Sequence, residues 1–478
     1  MAAVSERDYL EAQPPERHEP GALEAIRERI DAGGRPFAVI DDDPTGTQCV
    51  HGVPVLTTWE EDDLAAAMNG PSSTFFVLTN SRSMPPDEAE KVNRDIGQRL
   101  GRHAPPAGVA VASRSDSILR GHFPLETDTL AAALAETTGR AVDGVVVCPA
   151  FFEAGRLTID DVHWVRIGNE LWPAGETEFA RDESFGFSSS NLAEWVEEKT
   201  GGRWPASEVV RVGLADLREG GPERVRELLS GISGGRPVIV NATGYADLEV
   251  FMIGLLDVEA QGTSFVYRTG PSFQRTRGGI SESAPLQAEE LYAKRPARGR
   301  GLVVLGSYVG ASTRQFERLL GLPEVETVEL SVAAVLDDER RDAHVAEVAA
   351  RAVALLGSAD VVVYTSREEV RGDAARTGFG VKQAVADALV DVVRAVPEDA
   401  PLAWVMGKGG ITSSDVGIKG LGVRQAEVAG QLFTGLVSVW IPPEEARFPG
   451  LPYVVFPGNV GGPDSLAEAV ERLRGGRG

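Results

Sequence analysis

The sequence predicts an α/β protein: two α/β domains with mainly parallel sheets and an interdomain active-site cleft. Three observations lead there. Short apolar runs rich in Val and Ile alternate with helical patterns along most of the chain. At 478 residues the chain exceeds one ordinary hydrophobic core. Clusters of Asp, Arg, Ser and Gly stand at the carboxyl ends of the apolar runs, where ligands of parallel sheets collect.

A first series of strands is expected at 36–40 (PFAVI), 73–79 (STFFVLT), 108–113 (GVAVAS), 143–149 (DGVVVCP) and 236–242 (RPVIVNA). Most of these runs are continuously apolar, as a parallel sheet covered on both faces requires. Helical stretches separate them, such as PPDEAEKVNRDIGQRL, with Pro86 near its start and carboxylates in its first turn. A second series follows at 300–307 (RGLVVLGS), 359–366 (ADVVVYTS), 401–407 (PLAWVMG) and 451–458 (LPYVVFPG). The stretches DERRDAHVAEVAARAVALL and VKQAVADALVDVVRAV read as helices between them. The two series are parted by a polar stretch rich in charge, Ala and Pro. The expected organisation is an N-terminal extension (1–34), a first domain (35–280), a linker (281–299) and a second domain (300–478). The polar N-terminus reads as a surface segment or a short helix.

Composition narrows the function classes. A formal charge of -24 argues against a nucleic-acid surface, which needs Lys and Arg matched to phosphates. It leaves room for an anionic ligand, because exposed charges are screened beyond about 8 Å at physiological salt. The two cysteines, Cys49 and Cys148, lie far apart beside strand-like runs, so a disulfide framework is not expected. No apolar run approaches the roughly 18 residues of a membrane span, and the N-terminus has no signal-peptide core. A cytoplasmic protein without nucleic-acid or membrane partners is the expectation. There is no P-loop, no complete dinucleotide fingerprint and no ligand-spaced histidine pair, so no metal residues are assigned.

The stretch DDDPTGTQ sets three carboxylates, Asp41, Asp42 and Asp43, at one strand end. Turn chemistry alone would explain Pro-Thr-Gly. Three adjacent carboxylates repel one another, however, and need a cation or donors nearby. Read as D-x-D-x-T, with Asp41 as nucleophile, the stretch fits an aspartyl phosphatase, whose second acidic motif is only faintly suggested by RGDAARTG (371–378). Read as D-D-x-T-G, it fits a carboxylate pair that holds a polyhydroxy substrate. In NSRSMPPDEAE, Ser81 and Arg82 lie between strand and helix, and a guanidinium fork there could bind a carboxylate. In SRSDSILRGHF, Asp116 follows a strand and Arg120-Gly121 precedes a helix, either as an ion pair or as groups for substrate hydroxyls and acid. Arg156 closes another strand-end turn. Three Gly/Ser turns, at Gly306-Ser307, at Lys408 to Ser414 and at Gly458 to Gly462, suggest backbone amides arranged around phosphates.

With these motifs in order, the chain resembles the four-carbon acid sugar kinases over about residues 35–475. The family's D-D-x-T-G corresponds to Asp42, Asp43, Thr45 and Gly46, and its D-S-x-L-R-G to Asp116, Ser117, Leu119, Arg120 and Gly121. Its G-R turn matches Gly155-Arg156, and its G-S strand end matches Gly306-Ser307. Its G-G-[DE]-T-S turn matches Gly409, Gly410, Thr412 and Ser413, and its C-terminal K-x-G-x-x-G matches Gly458 and Gly461.

The resemblance implies a kinase that uses ATP with Mg²⁺ to phosphorylate a small sugar acid. The first domain would hold the acid and the second the nucleotide. Asp43 and Asp116 are then the catalytic candidates, and Asp42, Ser81, Arg82, Arg120, Gly121 and Arg156 the substrate-binding ones. Ser307, Lys408, Gly409, Gly410, Thr412, Ser413, Gly458, Asn459 and Gly461 would bind nucleotide. Two positions depart from the family pattern: Ile411 replaces the acidic residue and Phe456 the lysine. Lys408 is expected to take over the phosphate contact of that lysine. The alternatives are a protein that binds these ligands without kinase activity and the aspartyl phosphatase. A homo-oligomer is one option for the assembly.

Overall fold

The computed structural model describes residues 2–43, 45–306, 310–366, 378–458 and 460–475. The chain divides into two compact units, Met1–Glu282 and Ser283–Gly478. No described helix is long and apolar enough to cross a membrane. Both cysteines are free and buried.

In the first unit, parallel strands lie side by side in the order Val210–Val212, Arg236–Val240, Gly144–Cys148, Phe265–Thr269, Ala110–Arg114, Phe37–Asp41, Thr74–Leu78 and Val53–Leu56. Every residue of Phe37–Asp41, Thr74–Leu78 and Ala110–Arg114 is buried, which accounts for their unbroken apolar character. Helix Pro86–His103 buries a stripe at helical spacing (Ala89, Asn93, Ile96, Gly97, Leu100, Gly101) and packs on helix Leu125–Thr138. Two glycines let the helices close up. A Cβ on Gly97 would stand 2.8 Å from the Ala133 Cβ, and one on Gly101 would overlap Thr137 Oγ1.

A small antiparallel sheet joins this unit: Val4–Ser5, Glu170–Pro173, Val162–Ile167 and Arg156–Ile159. It corrects the reading of the N-terminus as only a surface segment or helix, because Val4–Ser5 pairs as an edge strand before helix Glu6–Glu11. The signal for its hairpin lay in the Asp160-Asp161 pair, both with positive φ, between two runs that pair residue for residue.

In the second unit the order is Gln425–Phe433, Val437–Ile441, Tyr453–Phe456, Leu402–Lys408, Arg300–Leu305, Asp360–Thr365 and Val325–Leu330. The last five run parallel, and the first two form an antiparallel hairpin against Tyr453–Phe456. Neither hairpin strand was expected. Trp404 is fully buried in the core of this unit and packs on Gly301, where a Cβ would collide with the indole. The region expected as a linker contains helix Ala288–Leu291, anchored by Tyr292 Oη donating to the Leu473 carbonyl at 2.6 Å.

Substituting Gly101→Val tests the helix–helix contact. Overpacking of this kind costs about 1–3 kcal/mol, so the urea midpoint should fall. An unchanged midpoint would show that the helices have slack at this crossing.

Candidate active site

Strand Phe37–Asp41 ends against strands Thr74–Leu78 and Ala110–Arg114, and each neighbour delivers an arginine to the carboxylates. Arg114, the last residue of its strand, donates from Nη1 to Asp41 Oδ1 at 3.1 Å. Arg82, in the turn after the other strand, spends its whole fork. Its Nε donates to Asp42 Oδ2 at 3.0 Å, its Nη2 to Asp42 Oδ1, and its Nη1 to Asp43 Oδ2 at 3.0 Å. Its backbone amide also donates to the Asp42 carbonyl at 3.3 Å. The expected free fork is therefore committed to protein carboxylates, since they are the nearest anions and lie side by side.

The three aspartates meet different fates. Asp41 is 1% exposed, and burial pushes its carboxyl up to about 7 against the pull of Arg114. A Cβ on Gly46 would collide with its carboxylate, so the turn closes directly over it. This corrects the phosphatase reading, because a nucleophile must present an open face to phosphorus. Asp42 is equally buried and likewise raised by burial, in spite of Arg82. Asp43 is the open member, with 23% of its side chain exposed. Burial opposes its ionisation, yet Arg82, Arg114 and two hydrogen bonds from Thr45 hold it below the usual carboxylate range.

Asp116 stands beside this cluster, 3.9 Å from Arg82 Nη1. It accepts from Arg120 Nε at 2.8 Å, so the four-residue spacing does form an ion pair. Burial works against its charge, but Arg82, Arg120 and Arg268 overcome that and bring it down to about 2. Gly121 has φ +117, and a Cβ there would stand 3.1 Å from Asp42 Oδ2, so a side chain would crowd the carboxylates. Ser81 donates to Glu126 at 2.6 Å, and Ser113 donates to the other Glu126 oxygen at 3.0 Å. Arg156 begins a strand of the small sheet and donates to the Ala154 carbonyl.

Three contributors escaped the sequence reading. Arg114 and Glu126 sit inside a strand and a helix, where charge is read as surface. Arg268 is fully buried in strand Phe265–Thr269, donates to the Arg120 carbonyl at 3.0 Å and stacks over Trp195. Burial pulls it down to about 10. A lone Arg in an otherwise apolar strand was the available signal.

In the second unit, Gly306, Gly409 and Gly458 each directly follow or stand two residues beyond a strand. A Cβ on Gly306 would overlap Thr412 Oγ1, and one on Gly458 would stand 3.7 Å from the Gly409 Cα, so the turns at 306, 409 and 458 are neighbours. Gly409 and Gly461 have φ of +115 and +83, which disfavour any side chain. Ser413 donates to the Gly410 carbonyl at 3.1 Å. Lys408 is not part of the turn: it ends strand Leu402–Lys408, is 0% exposed, and donates to the Pro457 and Gly458 carbonyls. Ser307, Asn459 and the segment 367–377, with most of the suggested phosphatase motif, lie outside the described residues.

Among the described residues no group of three or more His, Cys, Asp or Glu side chains is arranged to hold a metal ion. The carboxylate triplet does not fit a resident cation, because Arg82 and Arg114 already balance it.

Comparison with known proteins agrees with this division of the chain. Residues 37–277 match the family model of a sugar-binding N-terminal domain, and residues 302–466 that of a nucleotide-binding C-terminal domain. Among solved structures, the Haemophilus influenzae protein HI1011 aligns at 20% identity and TM-score 0.63, covering 91% of this chain and 100% of its own. A Salmonella typhimurium LT2 protein, named provisionally as a tRNA synthase, aligns at 18% identity and TM-score 0.64, covering 91% and 98%. At such identities the likeness establishes the fold. No curated protein matches the chain in sequence.

Replacing Arg82 with Met would leave Asp42 and Asp43 without their shared counter-charge. Removing one partner of a buried pair costs about 3–5 kcal/mol, to be read by urea unfolding at pH 7. The loss should shrink at pH 5, where the stranded carboxylates, raised by the missing arginine, take up protons instead. Equal losses at both pH values would contradict the assignment.

Proposed function

The chain belongs to the four-carbon acid sugar kinase family, and on that premise we propose that it transfers the terminal phosphoryl group of ATP to a hydroxyl of a small, four-carbon-type sugar acid. The observation that carries this reading is the pair of low-pKa carboxylates, Asp43 and Asp116, at neighbouring strand ends of the unit matched by the sugar-binding model.

Both carboxylates are ionised at neutral pH and can accept hydrogen bonds from substrate hydroxyls. In the transfer, the hydroxyl oxygen bonds to the γ-phosphorus while the bond to the β–γ bridging oxygen breaks and ADP departs. The hydroxyl proton passes to a carboxylate, and Asp43, the more open of the two, takes that role. Asp116 orients the acceptor. Their weak basicity is no obstacle, because phosphoryl transfer is mainly positioning and charge neutralisation. With Arg82 committed to Asp42 and Asp43, the acid group of the substrate falls to Arg120 and Arg156, with the buried charge of Arg268 behind them. Asp42, Ser81 and Gly121 shape the pocket floor.

For the nucleotide, the amides of Gly410, Gly458 and Gly461, with the hydroxyls of Thr412 and Ser413, are the phosphate-binding elements, while the Gly409 amide donates to the Phe456 carbonyl at 2.9 Å and fixes the start of its turn. Concave runs of main-chain N–H groups favour anions. The departures at Ile411 and Phe456 favour a second reading, a protein that binds both ligands without turning them over.

A coupled ADP-release screen across four- to six-carbon sugar acids tests the proposal. Turnover of at least one acid is expected, and nucleotide binding without turnover of any would support the second reading. In an active system, Asp43→Asn should lower kcat by about 10²–10⁴-fold, the scale of a general base. Activity within threefold of wild type would remove Asp43 from the mechanism. Since both carboxylates titrate below the usual range, neither should impose an acid limb on kcat/KM between pH 5 and 8.

A further inference from the structure

The carbonyl oxygens of Pro457, Gly458, Val460, Gly461 and Gly462 are bound from within the second unit. Lys408 Nζ donates to Pro457 O at 2.6 Å and to Gly458 O at 3.1 Å. Ser312 Oγ donates to Gly458 O at 3.3 Å. Gln315 Nε2 reaches Val460 O at 3.1 Å, Gly461 O at 3.4 Å and Gly462 O at 3.0 Å. All three side chains are at most 1% exposed. A carbonyl and the amide that follows it point opposite ways across one peptide plane. Pinning these carbonyls inward therefore turns the amides of Gly458, Gly461 and Gly462 outward, and none of the three donates to a described acceptor. Five carbonyls held on one side leave an anion-binding face on the other.

Lys408 differs from the other two in carrying charge. Its ammonium stands 4.3 Å from the centre of the Phe456 ring, the residue at which this chain departs from the lysine of its family. The neighbouring titratable groups have other partners: Asp415 pairs with Lys419 at 2.9 Å, Asp464 with Arg318 at 3.3 Å, and Tyr453 donates to the Ser413 carbonyl. Among the described residues, the charge is thus opposed by carbonyl dipoles and a ring face alone.

We infer that Lys408 is a positioning residue for the nucleotide: it holds the glycine turn from inside and lends it positive potential, without touching a phosphate. This rests on the nucleotide reading above and replaces the expected direct contact. Burial pulls the Lys408 ammonium down to about 7. An anion bound on the turn favours the protonated form, so binding takes up a proton near neutrality and affinity is lost as pH rises.

The test combines calorimetry of ADP binding from pH 6 to 8.5 with NMR order parameters of the Gly458, Gly461 and Gly462 amides in nucleotide-free protein at pH 7. Wild type should bind roughly tenfold more weakly at pH 8.5 than at pH 6. Lys408→Met should bind about tenfold more weakly at pH 6, lose that pH dependence, and show lower order parameters in the turn. Gln315→Met, which removes an uncharged clamp, should lower the order parameters but keep the pH dependence; it also carries the test if Lys408→Met does not fold. Weaker binding of Lys408→Met with unchanged order parameters would make the lysine a direct phosphate contact and overturn the inference. Unchanged binding and order would do the same. No ADP binding by wild type at any pH would overturn the nucleotide reading itself, and the inference with it.

Discussion

The first unit depends on one electrostatic arrangement, the placing of Arg82 and Arg114 against three consecutive aspartates. Burying a carboxylate without a partner costs several kcal/mol, and three in a row also repel one another. The parallel sheet solves this by register. Asp41 pairs in the ladder with Leu78 on one side and Arg114 on the other, so each flanking strand brings a guanidinium to the same level. Once both arginines are committed, Asp41 and Asp42 are closed off, and Asp43 is left as the most exposed of the three. Gly46 and Gly121 are then required because no Cβ fits against those carboxylates.

The second unit reaches an anion-compatible surface by different means. Glycines follow its strand ends at 306, 409 and 458, and these turns are neighbours. Here the ordering element is hydrogen bonding of carbonyls to buried Lys408, Ser312 and Gln315. The unit matched by the sugar-binding model thus gathers side-chain charge, and the unit matched by the nucleotide-binding model gathers main-chain dipoles, which suits the chemistry of each ligand class. Hydroxyls need directional acceptors, whereas phosphate oxygens need many donors.

Much of the fold was legible because covered parallel strands leave an unmistakable trace. PFAVI, STFFVLT, GVVVCP and ADVVVYT are unbroken apolar runs, and each forms a central strand. Among the strands that escaped, Val53–Leu56 and Val210–Val212 span only four and three residues, Gln425–Phe433 alternates with polar residues, and Phe265–Thr269, although central in its sheet, has its apolar run interrupted by Arg268. Edge and hairpin strands take their identity from a partner, which the local sequence does not name. In the candidate site, the acidic motif and the D-S-x-L-R-G loop stood out because their residue types are costly at strand ends. Glu126 and Arg268 did not, since a single charge in a helix or strand is ordinarily solvated.

By itself, the sequence determined the strand–helix alternation, the positions of the strand ends, and the chemical kinds of residue gathered there. Those follow from local hydrophobic period and from the cost of clustering charge, both of which act along the chain. Tertiary structure decided which charges meet. It set Arg82 on Asp42 and Asp43 rather than leaving it free, closed Gly46 over Asp41, and drew Arg114, Glu126 and Arg268 into one network. It also took Lys408 from an expected phosphate contact in a glycine-rich turn to a buried strand end beneath the carbonyls of residues 457 and 458. The reason is physical: an ion's partner and its pKa are set by distance and desolvation, and both belong to contacts between segments remote in sequence.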